Sequence, residues 1–199
     1  MIGIFLDIET NGLNPFKHKV LEIAFCLIDV ETGKELDSYT SMVYQPKSIW
    51  NSSDKESLKI NGLSFQEVEK GQSEENVKND ILYCFKKHGI QRGKSVFICQ
   101  NPSFDRPFFA QIIEPEEQER LLWPYHWLDL ASMHWSRALE RNKHCKGDLP
   151  WELGLSKDKI AKAYKLDSEE TPHRAINGVH HLIECYRAVV GFNSSHHRS

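Results

Sequence analysis

IGIFLDIETNGL, residues 2–13, begins as an apolar run and ends in two acids and a glycine. Five of the six residues before Asp7 are apolar, which marks a strand buried in a sheet. Asp7 and Glu9 stand two apart, so on a strand they project to one face. They lie at its carboxyl end, where open α/β sheets gather their sites. Two carboxylates side by side at a partly buried edge repel one another unless a cation or a proton intervenes, and hard oxygen donors favour Mg²⁺ or Mn²⁺.

Downstream, residues 20–44 (VLEIAFCLIDVETGKELDSYTSMVY) read as two strands joined at Glu31-Thr32-Gly33-Lys34, a hairpin turn with glycine at a permissive position. The polar stretch 45–77 carries short helical pieces. Residues 76–90 repeat apolar side chains at Val77, Ile81, Leu82 and Phe85 with helical spacing. SVFICQ (95–100) is a fourth strand, SFDRPFFAQIIE (103–114) a helix ended by Pro115, and YHWLDL (125–130) a fifth strand. Asp129 is placed to cap a helix over 130–142. The loop 143–154, a helix around 156–166 and the loop DSEETP (167–172) lead to a last helix, in which Ile176, Val179, Ile183, Tyr186 and Val190 form an apolar stripe. Three strands, a helix, then alternating strand and helix predict an α/β fold with a central mixed five-stranded sheet covered by helices on both faces.

Length and composition fit one domain. The 199 residues are 40% hydrophobic and 27% charged, with 5 Trp and a net charge of −3, which suits a single globular unit over 1–192 and a flexible tail at 193–199. Nothing approaches 18 consecutive apolar residues, and the first residues lack a basic leader and a small-residue cleavage site. The expectation is a soluble cytoplasmic protein with no membrane partner. Five dispersed cysteines without a C-x-x-C pair argue against a disulfide framework or a structural zinc site. Basic clusters at Lys17 to Lys19, Lys86 to Lys94 and Arg137 to Lys146 are ordinary solvated faces unless a nuclease site lies between them.

Two further residues carry chemistry. Asp105, at the start of the helix after the fourth strand, either complements that helix's dipole or joins Asp7 and Glu9 if the fourth strand lies beside the first. His173 precedes the last helix, and an imidazole titrates close to neutral pH.

Together these segments resemble a known family. FLDIETNGL looks like its first exonuclease motif, SLKINGLSFQEV the segment that follows it, CQNPSFDRPFF the second motif and TPHRAI the third. This is the DnaQ-like, DEDDh-type 3′-5′ exonuclease family, and the resemblance spans almost the whole chain. It implies a ribonuclease H-like fold and hydrolysis of terminal phosphodiesters, with two divalent ions, Mg²⁺ or Mn²⁺, in the substrate complex. Carried over residue by residue, it implies metal binding by Asp7, Glu9 and Asp105 and general-base action by His173. Contacts to the 3′ end of a single-stranded or frayed nucleic acid would come from Thr10, Asn11, Gly12, Leu13, Asn61, Asn101 and Phe104. Asn61 stands where the family often has histidine.

One position departs. The family has an acid five residues after its histidine, and here that residue is Gly178. Glycine inside a helix costs about 1 kcal/mol against alanine, so local propensity gives no reason for it. At 100° per residue, Asn177 turns away from the core, and His180 and Glu184 fall out of reach, leaving a water in the glycine's space as the simplest replacement ligand. Three readings stay open: an active exonuclease completed by water, a catalytically impaired module that binds nucleic acid or a protein partner without cleaving, or an altered residue at 178.

Overall fold

The structure, a computed structural model, describes residues 1–143 and 149–192. Its strands are β1 (Ile2–Thr10), β2 (Val20–Asp29), β3 (Lys34–Met42), β4 (Ser95–Cys99) and β5 (Trp127–Asp129). The helices are α1 (Lys47–Asn51), α2 (Lys55–Asn61), α3 (Phe65–Val68), α4 (Glu74–Lys87), α5 (Pro102–Ile112), α6 (Pro115–Arg120), α7 (Leu130–Asn142), α8 (Pro150–Leu153), α9 (Lys157–Ala163) and α10 (Ala175–Val189). The strands form one mixed sheet in the order β3-β2-β1-β4-β5. β1 to β3 are antiparallel, turning at Gly33 with φ 73°, and β4 and β5 run parallel to β1.

β1 is central, and its two faces feed different cores. Ile4, Leu6 and Ile8 pack with Val77, Ile81 and Phe85 of α4 and Phe108, Phe109 and Ile112 of α5. Phe5 points the other way, into a cluster with Leu130, Ile160, Val179, Leu182 and Ile183 from α7, α9 and α10. Each of these large side chains, fully buried, contributes on the order of 1.5–3 kcal/mol. Strand alternation puts Asp7 and Glu9 on the Phe5 face, beneath the beginning of α10.

Helix starts follow local chemistry. Ser73 caps α4 through the Asn76 amide, and Asp129 caps α7 by accepting from Ala131 and Ser132. The helix after β4 is shorter than its apolar pattern predicts: α5 stops at Ile112, three residues short of Pro115. The expected tail 193–199 and the end of the third basic cluster, Lys146, lie outside the described residues. Among the described residues no helix is long and apolar enough to cross a membrane.

Candidate active site

The parallel pairing of β1 with β4 brings two chain segments to the same sheet edge. β4 ends at Cys99, and Asn101, in the left-handed region at φ 56°, turns the chain into α5 while its amide donates to Asp129. Asp105 in the first turn of α5 is thereby buried beside the end of β1. From the opposite side the loop before α10 delivers His173, whose backbone amide donates to the Ile60 carbonyl. Asp7, Glu9, Asp105 and His173 all line one cleft of about 300 Å³.

The cleft is electrostatically overloaded with acids. Burial pushes the Asp7 carboxyl above its usual range despite the neighbouring Lys157. Burial, reinforced by Asp7, raises Glu9 to about 8. Asp105 is driven far up by burial and then by Asp7. Three carboxyls that resist ionisation in one place constitute a site that a cation relieves, and an all-oxygen donor set fits a hard divalent ion.

Two side chains without a signal in the sequence, Glu169 buried and Lys157 mostly so, also enter the cleft. Lys157, the first residue of α9, places Nζ 2.8 Å from Oε2 of Glu169 and 3.5 Å from Oδ1 of Asp7, and donates to the carbonyl of Gly178 at 3.2 Å. The Glu169 side chain is 3% exposed, and its Oε1 lies 3.8 Å from Nδ1 of His173. Burial alone would raise Glu169 and lower Lys157. His181, whose Nδ1 lies 3.9 Å from Oε2 of Glu169, and then Lys157 outweigh it at Glu169, which falls to about 2, while Asp7 and Glu169 hold Lys157 well above the usual range. Lys157 begins a mixed-charge helix and Glu169 sits in an acidic loop, and both patterns read as solvated.

The RNase_T family, described as Exonuclease, matches residues 4–186. The chain belongs to the RNase_T exonuclease family. It is 28% identical over 128 residues to ribonuclease T of Histophilus somni (strain 129Pt), covering 62% of this chain and 57% of that one. It is 26% identical over 133 residues to oligoribonuclease of Nitrosomonas europaea, covering 65% of this chain and 71% of the relative. Its fold matches E. coli exonuclease I in complex with a dT13 oligonucleotide, with a TM-score of 0.71 and 19% identity, over 94% of this chain and 40% of that one. The chain therefore spans little more than half of the ribonuclease T and less than half of the exonuclease I. The fold is the expected ribonuclease H-like α/β arrangement, and the DnaQ-like resemblance holds.

Against the family pattern, the glycine is explained by close approach rather than by vacancy. The sequence leaves room for a water at position 178. Instead the backbone of α10 lies directly on the Asp7 carboxylate, and a Cβ at 178 would stand 2.7 Å from Cγ of Asp7. Asn177 turns away, as expected, and bonds Glu170.

Of the residues expected to hold substrate, Thr10, Leu13, Asn61 and Phe104 line the cleft. Leu13 is 75% exposed at its mouth. Asn61 is nonetheless a brace, donating to the Thr10 carbonyl and accepting from the Leu63 amide. Asn11, Gly12 and Asn101 do not line the cleft. Asn11 is fully buried, with its side-chain amide engaged by Ile49, Ser53 and Lys19. The close approach at Gly12 is made by the protein's own His18 ring, which leaves no room for a Cβ. Asn101 is exposed, and its side-chain oxygen accepts from Ser103. Away from the cleft, Asp37, Cys84 and His88 cluster within ligand distance of one another, but Asp37 is already paired with Lys87 at 2.8 Å and His88 at 2.7 Å.

Proposed function

We propose that the protein is a divalent-metal-dependent 3′-5′ exonuclease acting on single-stranded or frayed nucleic-acid ends. The observation that carries this reading is the gathering of Asp7, Glu9 and Asp105 with His173 around one open cleft in an exonuclease-family fold. Asp7, Glu9 and Asp105 would hold the ion, Mg²⁺ or Mn²⁺. A divalent ion bound there supplies positive charge that favours ionisation of water and stabilises charge on phosphoryl oxygens. His173 takes the proton of the attacking water, and the Glu169 carboxylate lies 3.8 Å from its Nδ1. Leu13 at the mouth and Phe104 on the wall offer apolar surface to a terminal base. Exonuclease I, whose fold this chain shares, was crystallised with a dT13 oligonucleotide, which supports a single-stranded substrate here.

The non-catalytic reading draws on Gly178, where the family acid is missing, and one experiment separates the two. A 5′-labelled single-stranded oligonucleotide, as DNA and as RNA, is incubated with Mg²⁺, with Mn²⁺ and with EDTA. Stepwise shortening from the 3′ end with either ion and none with EDTA is expected. Absence of shortening with both ions at excess protein rejects the exonuclease. His173→Ala should slow cleavage by about 10²–10⁴-fold.

A further inference from the structure

The exonuclease reading leaves Lys157 without a task of its own in catalysis, although its side chain lies in the cleft beside Glu169. The Lys157 side chain is 12% exposed, and its ammonium has three anchors from three segments: Asp7 of β1, Glu169 of the loop before α10, and the backbone carbonyl of Gly178. The last anchor is the informative one. At the position where the family pattern has a metal-binding acid, this chain offers a carbonyl to an ammonium. Restoring the acid would put a Cβ 2.7 Å from Cγ of Asp7, so the Asp7 carboxylate would have to move aside. A divalent ion added on the α10 side would therefore meet a positive charge already fixed there, and the further carboxylate of that side, Glu169, is already paired with it.

We propose that the Lys157 ammonium, held by Asp7, Glu169 and the Gly178 carbonyl, replaces one of the two divalent ions, so that the protein binds a single divalent ion. The proposal rests on the exonuclease reading for its reaction. Asp7, Glu9 and Asp105 hold the one ion, and Lys157 is the second positive centre facing the scissile phosphate. Glu169 keeps the lysine aimed into the cleft, since its Oε2 is the lysine's nearest partner. No co-reactant beyond water is needed. The water oxygen bonds to phosphorus, its proton passes to His173, the bond from phosphorus to the 3′ oxygen of the preceding nucleotide breaks, and that oxygen takes a proton from solvent.

The test counts ions on the full chain. Mn²⁺ is titrated by electron paramagnetic resonance and calorimetry, with a dT oligonucleotide ending in phosphorothioate linkages present. One magnetically isolated Mn²⁺ per chain is expected. Two per chain, with the exchange-coupled signal of a close pair, or none, overturns the proposal. Lys157→Met, checked for folding by circular dichroism, should cleave at least 100-fold more slowly and bind Mn²⁺ at least tenfold more tightly, while Lys157→Arg recovers part of the rate. Undiminished cleavage or weaker Mn²⁺ binding by Lys157→Met contradicts it. Should the unaltered chain fail to cleave at all, the exonuclease reading falls, and the ion count still judges the lysine.

Discussion

Gly178 shows how much a single missing Cβ decides. The α10 backbone can rest on the Asp7 carboxylate only because nothing projects from residue 178. Gly178→Ala gains about 1 kcal/mol of helix propensity but forces Asp7 aside, and overpacking of this kind costs about 1–3 kcal/mol. A net destabilisation of about 1 kcal/mol is expected in urea unfolding. For the same reason Gly178→Asp is expected to lower cleavage rather than improve it, as a rate assay on the labelled oligonucleotide would show. Glu9 contributes to the pH response along with Asp7 and Asp105. Its carboxyl is raised from 4.5 to about 8, so between those pH values the folded protein keeps a proton that the unfolded chain has released. Stability without metal therefore falls as pH rises through that window and is highest at its acid end. Glu9→Gln should flatten this slope and raise stability at pH 8 by on the order of 1 kcal/mol, seen as a higher melting temperature in EDTA.

The elements were legible where one period dominates. The apolar stripe of α10, the alternation of β1 and the Asp129 cap each follow from local pattern, because burial of one face and satisfaction of helix-end amides are local demands. What fixes the start of α10 is less local. Glu22, on β2 directly across from Glu9, is 4% exposed and accepts from the Ala175 amide and from Nε and Nη2 of Arg174, each at 3.0 Å. It thus anchors the first turn of the helix and orients the residue next to His173. Glu22 was visible in the sequence as an acid inside the apolar run VLEIAF, a signal that periodicity alone does not interpret. Glu22→Ala leaves Arg174 and a buried amide without this partner and should cost about 3 kcal/mol. Urea unfolding measures that cost, and a cleavage rate reduced beyond any decrease in folded protein reports the displaced His173.

For the whole molecule, a net charge of −3 means that a polyanion must be attracted by a local field. Arg137 on α7 is exposed, as is Arg141, which lies over the Tyr164 ring. If this face carries the strand, Arg137→Ala with Lys143→Ala weakens binding of a single-stranded oligonucleotide mainly at low salt. For every phosphate that the double variant no longer neutralises, the slope of log affinity against log salt becomes shallower by about 0.7. An unchanged slope in a fluorescence-anisotropy titration would place the strand elsewhere.

The sequence by itself determined the sheet, its covering helices, the family and the positions of Asp7, Glu9, Asp105 and His173, because strand alternation, helical period and motif spacing are properties of neighbouring residues. Only the tertiary structure decided what stands at the missing acid. Lys157 and Glu169 lie 21 and 9 residues before Gly178 in the chain, in segments whose composition looks solvated. They become a buried ion pair only when α9 and the loop before α10 close over the end of β1. A charge is removed from water by whatever packs over it, and no local pattern in the sequence records that.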